Sequence, residues 1–358
     1  MNRATNEMDG TRPRRAGRAR ALGAGVLALA AATAGANVHR KPAPAAKAAS
    51  ASAAVAAASA ASTAQAAASA ASASAADGAA LALWCKRVAA EVPGVAQPAC
   101  AGSGLVAGDG RSVQGVPLWW RDVQPASGVP RFKVLLLGGI HGDELASVTL
   151  AFDWIARSHA MPKSPAAAVA WRFVPLLNPD GLLHVPSTRV NAHGVDLNRN
   201  FPTADWAHDA QPYWVERTKK DPRRFPGAQP LSEPESRWLL RQIELFHPDL
   251  IVSVHAPYGL LDFDGPPPVP RRLGSLQLDP VGVYPGSLGN YGSLVKQVPV
   301  MTLELKNARK VPPAELAAMW GDLQRWIAER LAKSGMQANA QASPKPVAGD
   351  SRAERKRD

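Results

Sequence analysis

Two features are scarce in this 358-residue chain: cysteine, with two residues, and acid, with 29 Asp and Glu against 41 Lys and Arg. Cys85 and Cys100 are too few for a disulfide-dense scaffold, and a C-x14-C pair without nearby partner ligands is a poor metal site. In an exported protein an even count suggests one disulfide, whose short loop is worth roughly 3 kcal/mol; two buried free thiols are the alternative. The basic excess, +12 overall, would point to nucleic acid if it lay in a folded body. It lies mostly in the ends. Residues 1–47 hold nine Lys/Arg against two acids, and residues 334–358 hold five against three. A nucleic-acid role for the core is therefore discounted. Long apolar runs are missing too. Ala21 to Ala36 falls short of the about 20 residues a bilayer span needs. No internal repeat is visible.

That run follows a basic stretch, Arg12 to Arg20, and ends in the small-x-small signal Ala34-Gly-Ala36. Residues 1–36 read as an export signal, which predicts a periplasmic or otherwise exported protein. Membrane attachment is expected only if the leader stays uncleaved. Residues 37–78 are dominated by Ala and Ser, with Val55 the one large apolar residue in 42–78, and read as a disordered tether. Residues 334–358 read as a disordered polar tail. The catalytic domain is expected over 79–333, opening with a small cap, 79–107, that carries both cysteines. No sequence feature sets an oligomeric state.

Within the domain, apolar runs alternate with amphipathic segments. Strands are expected at Phe132 to Gly138, Ala168 to Leu177, Asp249 to His255 and Val298 to Leu305. Helices are expected at Ala80 to Val92, Glu144 to Ser158, after Ser232 as N-cap, and over Pro313 to Ala332. This is an α/β pattern: a mixed, largely parallel twisted sheet flanked by helices. Thr188 to Pro202 is dense in polar groups and reads as a functional loop. Leu261 to Arg272, rich in proline, reads as a site-edge loop, and its Asp262 and Asp264 are too few to claim calcium.

His141 and Glu144 follow the first buried strand, and His255 ends a later one, where open α/β sheets place their sites. Two histidines and one carboxylate leave a fourth tetrahedral position for water, as in catalytic zinc sites. Glu304 sits inside an apolar strand, where an unpaired charge is costly, and is placed to move a proton. A structural salt bridge is its alternative.

Taken together, His-Gly-Asp-Glu144, Asn-Pro-Asp-Gly181, Gly194-Val-Asp-Leu-Asn-Arg-Asn-Phe-Pro202, Ser232-Glu-Pro-Glu-Ser236, Ser253-Val-His255, Pro285-Gly-Ser-Leu-Gly and Thr302-Leu-Glu-Leu305 resemble the zinc carboxypeptidase family, and within it the murein peptide amidase branch. The resemblance covers roughly residues 108–330. It implies one zinc held by His141, Glu144 and His255, with Glu304 as general base and acid. It implies that Arg189 stabilises the oxyanion and that Asn198 and Arg199 grip a terminal carboxylate. Asp196 and Asn200 are read as loop-shaping residues. The family's pocket tyrosine is Tyr258, Tyr284 or Tyr291. Asp143 departs from the arginine of the digestive members. The implied activity is hydrolysis of peptidoglycan-derived peptides, at the γ-D-glutamyl–diaminopimelate bond or at a C-terminal residue. Two other readings are an N-acyl amino acid deacylase of the succinylglutamate desuccinylase or aspartoacylase type, and an inactive tethered peptidoglycan-binding protein.

Overall fold

The computed structural model describes residues 76–125, 127–159 and 168–342. The leader, the tether up to residue 75 and residues 343–358 of the tail lie outside the described residues.

Three wholly or largely buried runs form the centre of the sheet: β3 (Phe132–Leu137), β4 (Val169–Val174) and β5 (Leu250–His255). Their near-continuous apolar character is what a parallel strand covered on both faces requires. β3 pairs in parallel with β4 on one side and β5 on the other, and β9 (Val300–Glu304) pairs in parallel with β5. Antiparallel strands close both margins. β2 (Pro117–Val123) pairs with β4 and with β1 (Val106–Arg111). β6 (Leu260–Asp264) pairs antiparallel with β9, the short β8 (Leu276–Leu278) joins β6 in parallel, and β7 (Arg272–Leu273) pairs antiparallel with β8. The nine strands lie in the order β1-β2-β4-β3-β5-β9-β6-β8-β7. The expected mixed sheet is present, with its parallel pairings concentrated at the centre.

Side chains alternate between the two faces, and each face finds its own helices. Val134 and Leu136 join the core formed with α3 (Leu145–His159) and α5 (Pro313–Ala342). Leu135 and Leu137 join Trp238, Leu239, Ile243 and Phe246 of α4 (Pro234–Phe246). The cap helix α1 (76–91) and α2 (Gln97–Ala101) are joined by the disulfide Cys85–Cys100, with Cα atoms 5.6 Å apart. Trp84 of α1 packs on Trp119 and Phe152, so the cap belongs to the same core.

Four local expectations change. Glu233, not Ser232, occupies the N-cap of α4; the Ser232 hydroxyl instead meets Asn200 and Glu233. Gly108 to Trp120, a glycine-rich stretch that reads as a turn and then a short strand, begins inside a strand of its own, β1, before the turn and β2. The segment read as a site-edge loop holds β6, whose five residues pair in register with β9. The closing helix continues beyond Ala332 to Ala342, nine residues into the stretch read as a disordered tail. Alanine, glutamine and methionine there are good helix formers that prolong a helix already nucleated by packing. Among the described residues no helix is long and apolar enough to cross a membrane.

Candidate active site

The chain leaves β3, builds α3, enters β4 on one flank, and later returns to β5 on the other flank. This switch of direction opens a crevice at the carboxyl ends of the parallel strands. His141 and Glu144 emerge from β3 into it, and His255 ends β5. The turn between the first two ligands is tight: a Cβ on Gly142 would collide with the backbone of Gly181 and Leu182. Asn178 holds that neighbouring turn, accepting from the Gly181 N–H and donating to the Arg189 carbonyl.

All three ligand candidates are buried, and their ligand atoms lie within 4.8 Å of one another. His141 Nδ1 is 2.8 Å from Glu144 Oε1, and His255 Nδ1 is 3.2 Å from Glu144 Oε2. The two Nδ1 atoms face each other at 3.2 Å. Ligands about 2.0–2.1 Å from one tetrahedral zinc stand roughly 3.3 Å apart, so these separations suit a shared ion. The far nitrogens are both engaged. His141 Nε2 meets Asp196 Oδ1 at 3.1 Å, and His255 Nε2 meets Ser253 Oγ at 2.9 Å. A proton held on each Nε2 leaves each Nδ1 lone pair free for a metal. Burial alone would raise the pKa of Glu144, but His141 and His255 outweigh it and hold the carboxyl well below the usual range. The donor set and its charge state therefore fit a divalent cation.

The remaining expected residues are close by. A cavity of about 400 Å³ is lined by His141, His255, Glu304, Arg189, Asn198 and Arg199, among others. Glu304 is the Cα partner of His255 across β5 and β9. Its Oε2 is buried with no hydrogen-bond partner, so it is not held in the salt bridge that was its alternative reading. Burial pushes its carboxyl pKa upward. Arg189 donates from Nε to Asp196 at 3.0 Å and from Nη1 to Glu144 at 3.3 Å. Asp196 and Glu144 thereby more than offset the burial of the guanidinium and keep it charged. Arg199 is buried, donates to the Asn198 carbonyl at 2.7 Å, and lies 4.7 Å from the centroid of the Tyr284 ring. Asn198 Oδ1 accepts from the Leu288 N–H, which leaves its amide nitrogen to donate into the cavity.

The three tyrosine candidates separate. Tyr291 is buried in the core, while Tyr258, 65% exposed, and Tyr284, packed against Arg199, both line the cavity. Asn200 shapes its loop as expected, donating to the carbonyls of Pro226 and Gln229. Asp196 does more than shape a loop, because it also orients His141 and Arg189. The need of a ligand histidine for a carboxylate on its second nitrogen is the signal that points to it. Asp143 makes no ligand; it pairs with Arg223 at 2.7 Å. Sequence reasoning also misses Ser253 and Arg224, the latter a further cation on the cavity wall.

Two imidazoles and a carboxylate converging on one point, beside an unpaired carboxylate and a buried guanidinium, define a metal-dependent hydrolase. A family model described as zinc carboxypeptidase matches residues 105–261, a span that includes the three ligands and ends before Glu304. Murein peptide amidase A of Vibrio campbellii is 33% identical over 203 residues, 55% of this chain and 77% of the relative. The protein of the same name from Escherichia coli K12 is 36% identical over 155 residues, 43% of this chain and 60% of the relative, so this match spans under two thirds of that protein. A solved murein-tripeptide amidase from Escherichia coli O157 aligns with a TM-score of 0.42 at 29% identity, over 61% of this chain and 90% of its own. The chain belongs to the zinc carboxypeptidase family.

Proposed function

We propose that this chain is a zinc amidase of peptidoglycan-derived peptides, holding one zinc ion and cutting the γ-D-glutamyl–diaminopimelate amide or releasing a C-terminal residue. One observation carries this reading: the two histidines of the metal triad, the Glu304 carboxylate with its unpartnered Oε2, and the buried Arg199 guanidinium line a single cavity. The names of the two amidase relatives supply the substrate class.

The residues divide the work. Arg199 and the free amide nitrogen of Asn198 hold the carboxylate of the terminal residue, a pairing for which a planar guanidinium is suited. That fixes the scissile amide over the triad. Zinc, when bound, supplies Lewis acidity that lowers the pKa of water toward about 7 and polarises the amide carbonyl. Arg189, kept charged by Asp196 and Glu144, stabilises negative charge developing on the carbonyl oxygen. Glu304 accepts a proton from the attacking water and delivers it to the departing amine nitrogen. Its desolvation makes it a stronger base than an exposed carboxylate and costs the resting protein the burial of an unpaired acid.

We also propose that the enzyme works outside the cytoplasm. The Cys85–Cys100 disulfide supports this, since such bonds persist in oxidising compartments, and so does the leader-like sequence of residues 1–36.

Mass spectrometry of L-Ala-γ-D-Glu-diaminopimelate after incubation with the zinc-loaded protein tests the assignment. Free diaminopimelate, released without chelator and not with it, is the expected result. A folded, zinc-loaded protein that releases none overturns the bond. Cleavage of N-acyl amino acids in its place would move the enzyme to deacylation.

A further inference from the structure

Arg224 is a cation on the cavity wall that the mechanism above does not use. It closes the single helical turn Pro222–Arg224, which Asp221 caps: its carboxylate accepts from the Arg223 N–H at 2.9 Å, and its carbonyl accepts from the Arg224 N–H at 3.0 Å. Trp214 donates to the same carbonyl at 2.8 Å and packs on Phe225. The Phe225 carbonyl in turn accepts from the Asp196 N–H at 2.8 Å. The backbone that carries Arg224 is therefore tied to the loop that carries Arg189, Asn198 and Arg199, and a cation held in this way is preorganised for a ligand.

The head group of Arg224 is not consumed inside the protein. Its side chain makes no hydrogen bond among the described residues, and its ion pair with Asp221 is long, 3.6 Å from Nε. Asp143 is already taken by Arg223 at 2.7 Å. Arg189 is offset by Asp196 and Glu144. Arg199 and Arg224 remain as two like charges on one cavity. Burial dominates the lowered pKa of Arg199, and the charges of Arg189 and Arg224 add to it against Asp196. Such crowding of cations costs free energy unless the ligand brings more than one anionic group. The two guanidiniums also stand on different elements. Arg199 lies on Tyr284, and Asn198 beside it is held by the Leu288 N–H. Arg224 follows Arg223, whose partner Asp143 sits between His141 and Glu144 after β3. The strands run in the order β3-β5-β9, and Glu304 ends β9. Glu304 protonates the departing amine from the β9 side of the metal, so the acyl half of the amide extends toward the β3 side, where Arg223 and Arg224 stand.

We propose that Arg224 is a specificity determinant on the acyl side of the scissile amide, binding a free carboxylate four bonds beyond the carbonyl carbon, which a γ-linked glutamyl residue presents as its α-carboxylate. Four extended bonds reach roughly 5 Å, and the long arginine side chain spans the remaining gap. A planar guanidinium takes such a carboxylate through two parallel hydrogen bonds. The enzyme thereby separates peptides whose glutamyl α-carboxyl is free from peptides in which it is amidated. This rests on the reading of the site given above, because it takes the scissile bond as a γ-glutamyl amide.

The test compares kcat/KM of the full-length, zinc-loaded protein on L-Ala-γ-D-Glu-diaminopimelate and on the same peptide with the glutamyl α-carboxyl converted to its amide. Charge-assisted pairing predicts a preference of about 10- to 100-fold for the free acid. Arg224→Gln should cut the two peptides alike. Arg224→Glu should prefer the amide, an inversion that a damaged site cannot mimic. Equal cleavage of both peptides by the unaltered protein overturns the proposal. So does an undiminished preference in an Arg224→Gln protein shown by circular dichroism and zinc content to be folded. If neither peptide is cut, the assigned bond falls, and calorimetry with L-alanyl-γ-D-glutamate and L-alanyl-D-isoglutamine reads Arg224 by itself. Tighter binding of the acid, abolished by Arg224→Gln and kept by Arg199→Lys, supports the subsite without that bond. Equal binding of the two dipeptides overturns it.

Discussion

His141 points Nε2 at Asp196 Oδ1, 3.1 Å away, while its Nδ1 faces Glu144 and His255. One carboxylate thus decides which nitrogen of a ligand histidine is available. Asp196 is fully buried, which favours its neutral form, but Arg189 and His141 outweigh that and keep it ionised. Asp196→Asn keeps one oxygen to accept from the Asn198 N–H and removes the charge together with the oxygen that accepts from Arg189 Nε. Zinc affinity should fall about 10- to 100-fold, read by competition with a fluorescent chelator. Unchanged affinity would reduce Asp196 to a loop anchor.

Glu304→Gln should leave zinc content and thermal stability close to those of the parent, because the lost group has no partner at Oε2. Turnover should drop by about 10²- to 10⁴-fold. The control is zinc stoichiometry measured on the same preparation. Residual turnover near the parental rate would assign proton transfer to another group.

Arg199→Lys keeps the positive charge and removes both the planar fork and the stacking on Tyr284. The expected effect is a raised KM, by about tenfold or more, for substrates with a free terminal carboxylate. Substrates whose terminal carboxylate is amidated should respond to the change hardly at all. Equal losses on both would show that Arg199 supports the loop and not the substrate.

The metal ligands are legible in the sequence because each sits at the end of a long apolar run, and such runs announce buried strands. Glu304 is legible for a related reason, as the one acid in such a run. Arg189, Asn198 and Arg199 are readable only through the motif Gly194 to Pro202 and its neighbours, since nothing local marks a guanidinium as buried. Asp196 hides in the same motif, its role fixed by a partner 55 residues away. β6 is the clearest strand missed. Leu261-Asp262-Phe263-Asp264 alternates apolar with polar as a half-buried strand does, but the run is short and the prolines that follow suggest a loop. The tyrosines separate only in three dimensions, because burial and exposure distinguish them and sequence spacing does not.

The disulfide closes a short loop, with a sequence separation of 15, and ties α1 to α2 on the flank of the main core. Thr149 of α3 donates to the Pro93 carbonyl of the connecting turn, so the cap also has a polar anchor. Replacing Cys85 and Cys100 together by Ser should cost about 3 kcal/mol of stability, seen as a lowered Tm. KM should hold, because neither cysteine lines the cavity that holds His141, His255 and Glu304. A shifted KM with an unchanged Tm would mean that the cap shapes the site and contributes little to the fold.

Glu235, in the first turn of α4, sets a pH dependence of stability away from the metal. Its oxygens accept from the Val113 N–H at 3.0 Å and from Asn191 Nδ2 at 3.2 Å. Burial dominates these hydrogen bonds, with a smaller contribution from Asp180, and pushes the carboxyl up to about 7. In the unfolded chain the same group titrates near 4.5. Between those values the folded protein holds a proton that the unfolded chain has lost, so stability is full below about pH 4.5 and declines as pH rises toward about 7. The span corresponds to about 3 kcal/mol. Other carboxylates with lowered pKa, Glu144 and Asp196 among them, act in the opposite direction at lower pH. The difference between parent and Glu235→Gln therefore isolates this group. Urea denaturation at a series of pH values should show the variant's stability, relative to the parent, rising from pH 5 to pH 8. A constant difference across that range would mean that Glu235 is ionised in the folded protein throughout, with the Val113 and Asn191 hydrogen bonds sufficient to keep it so.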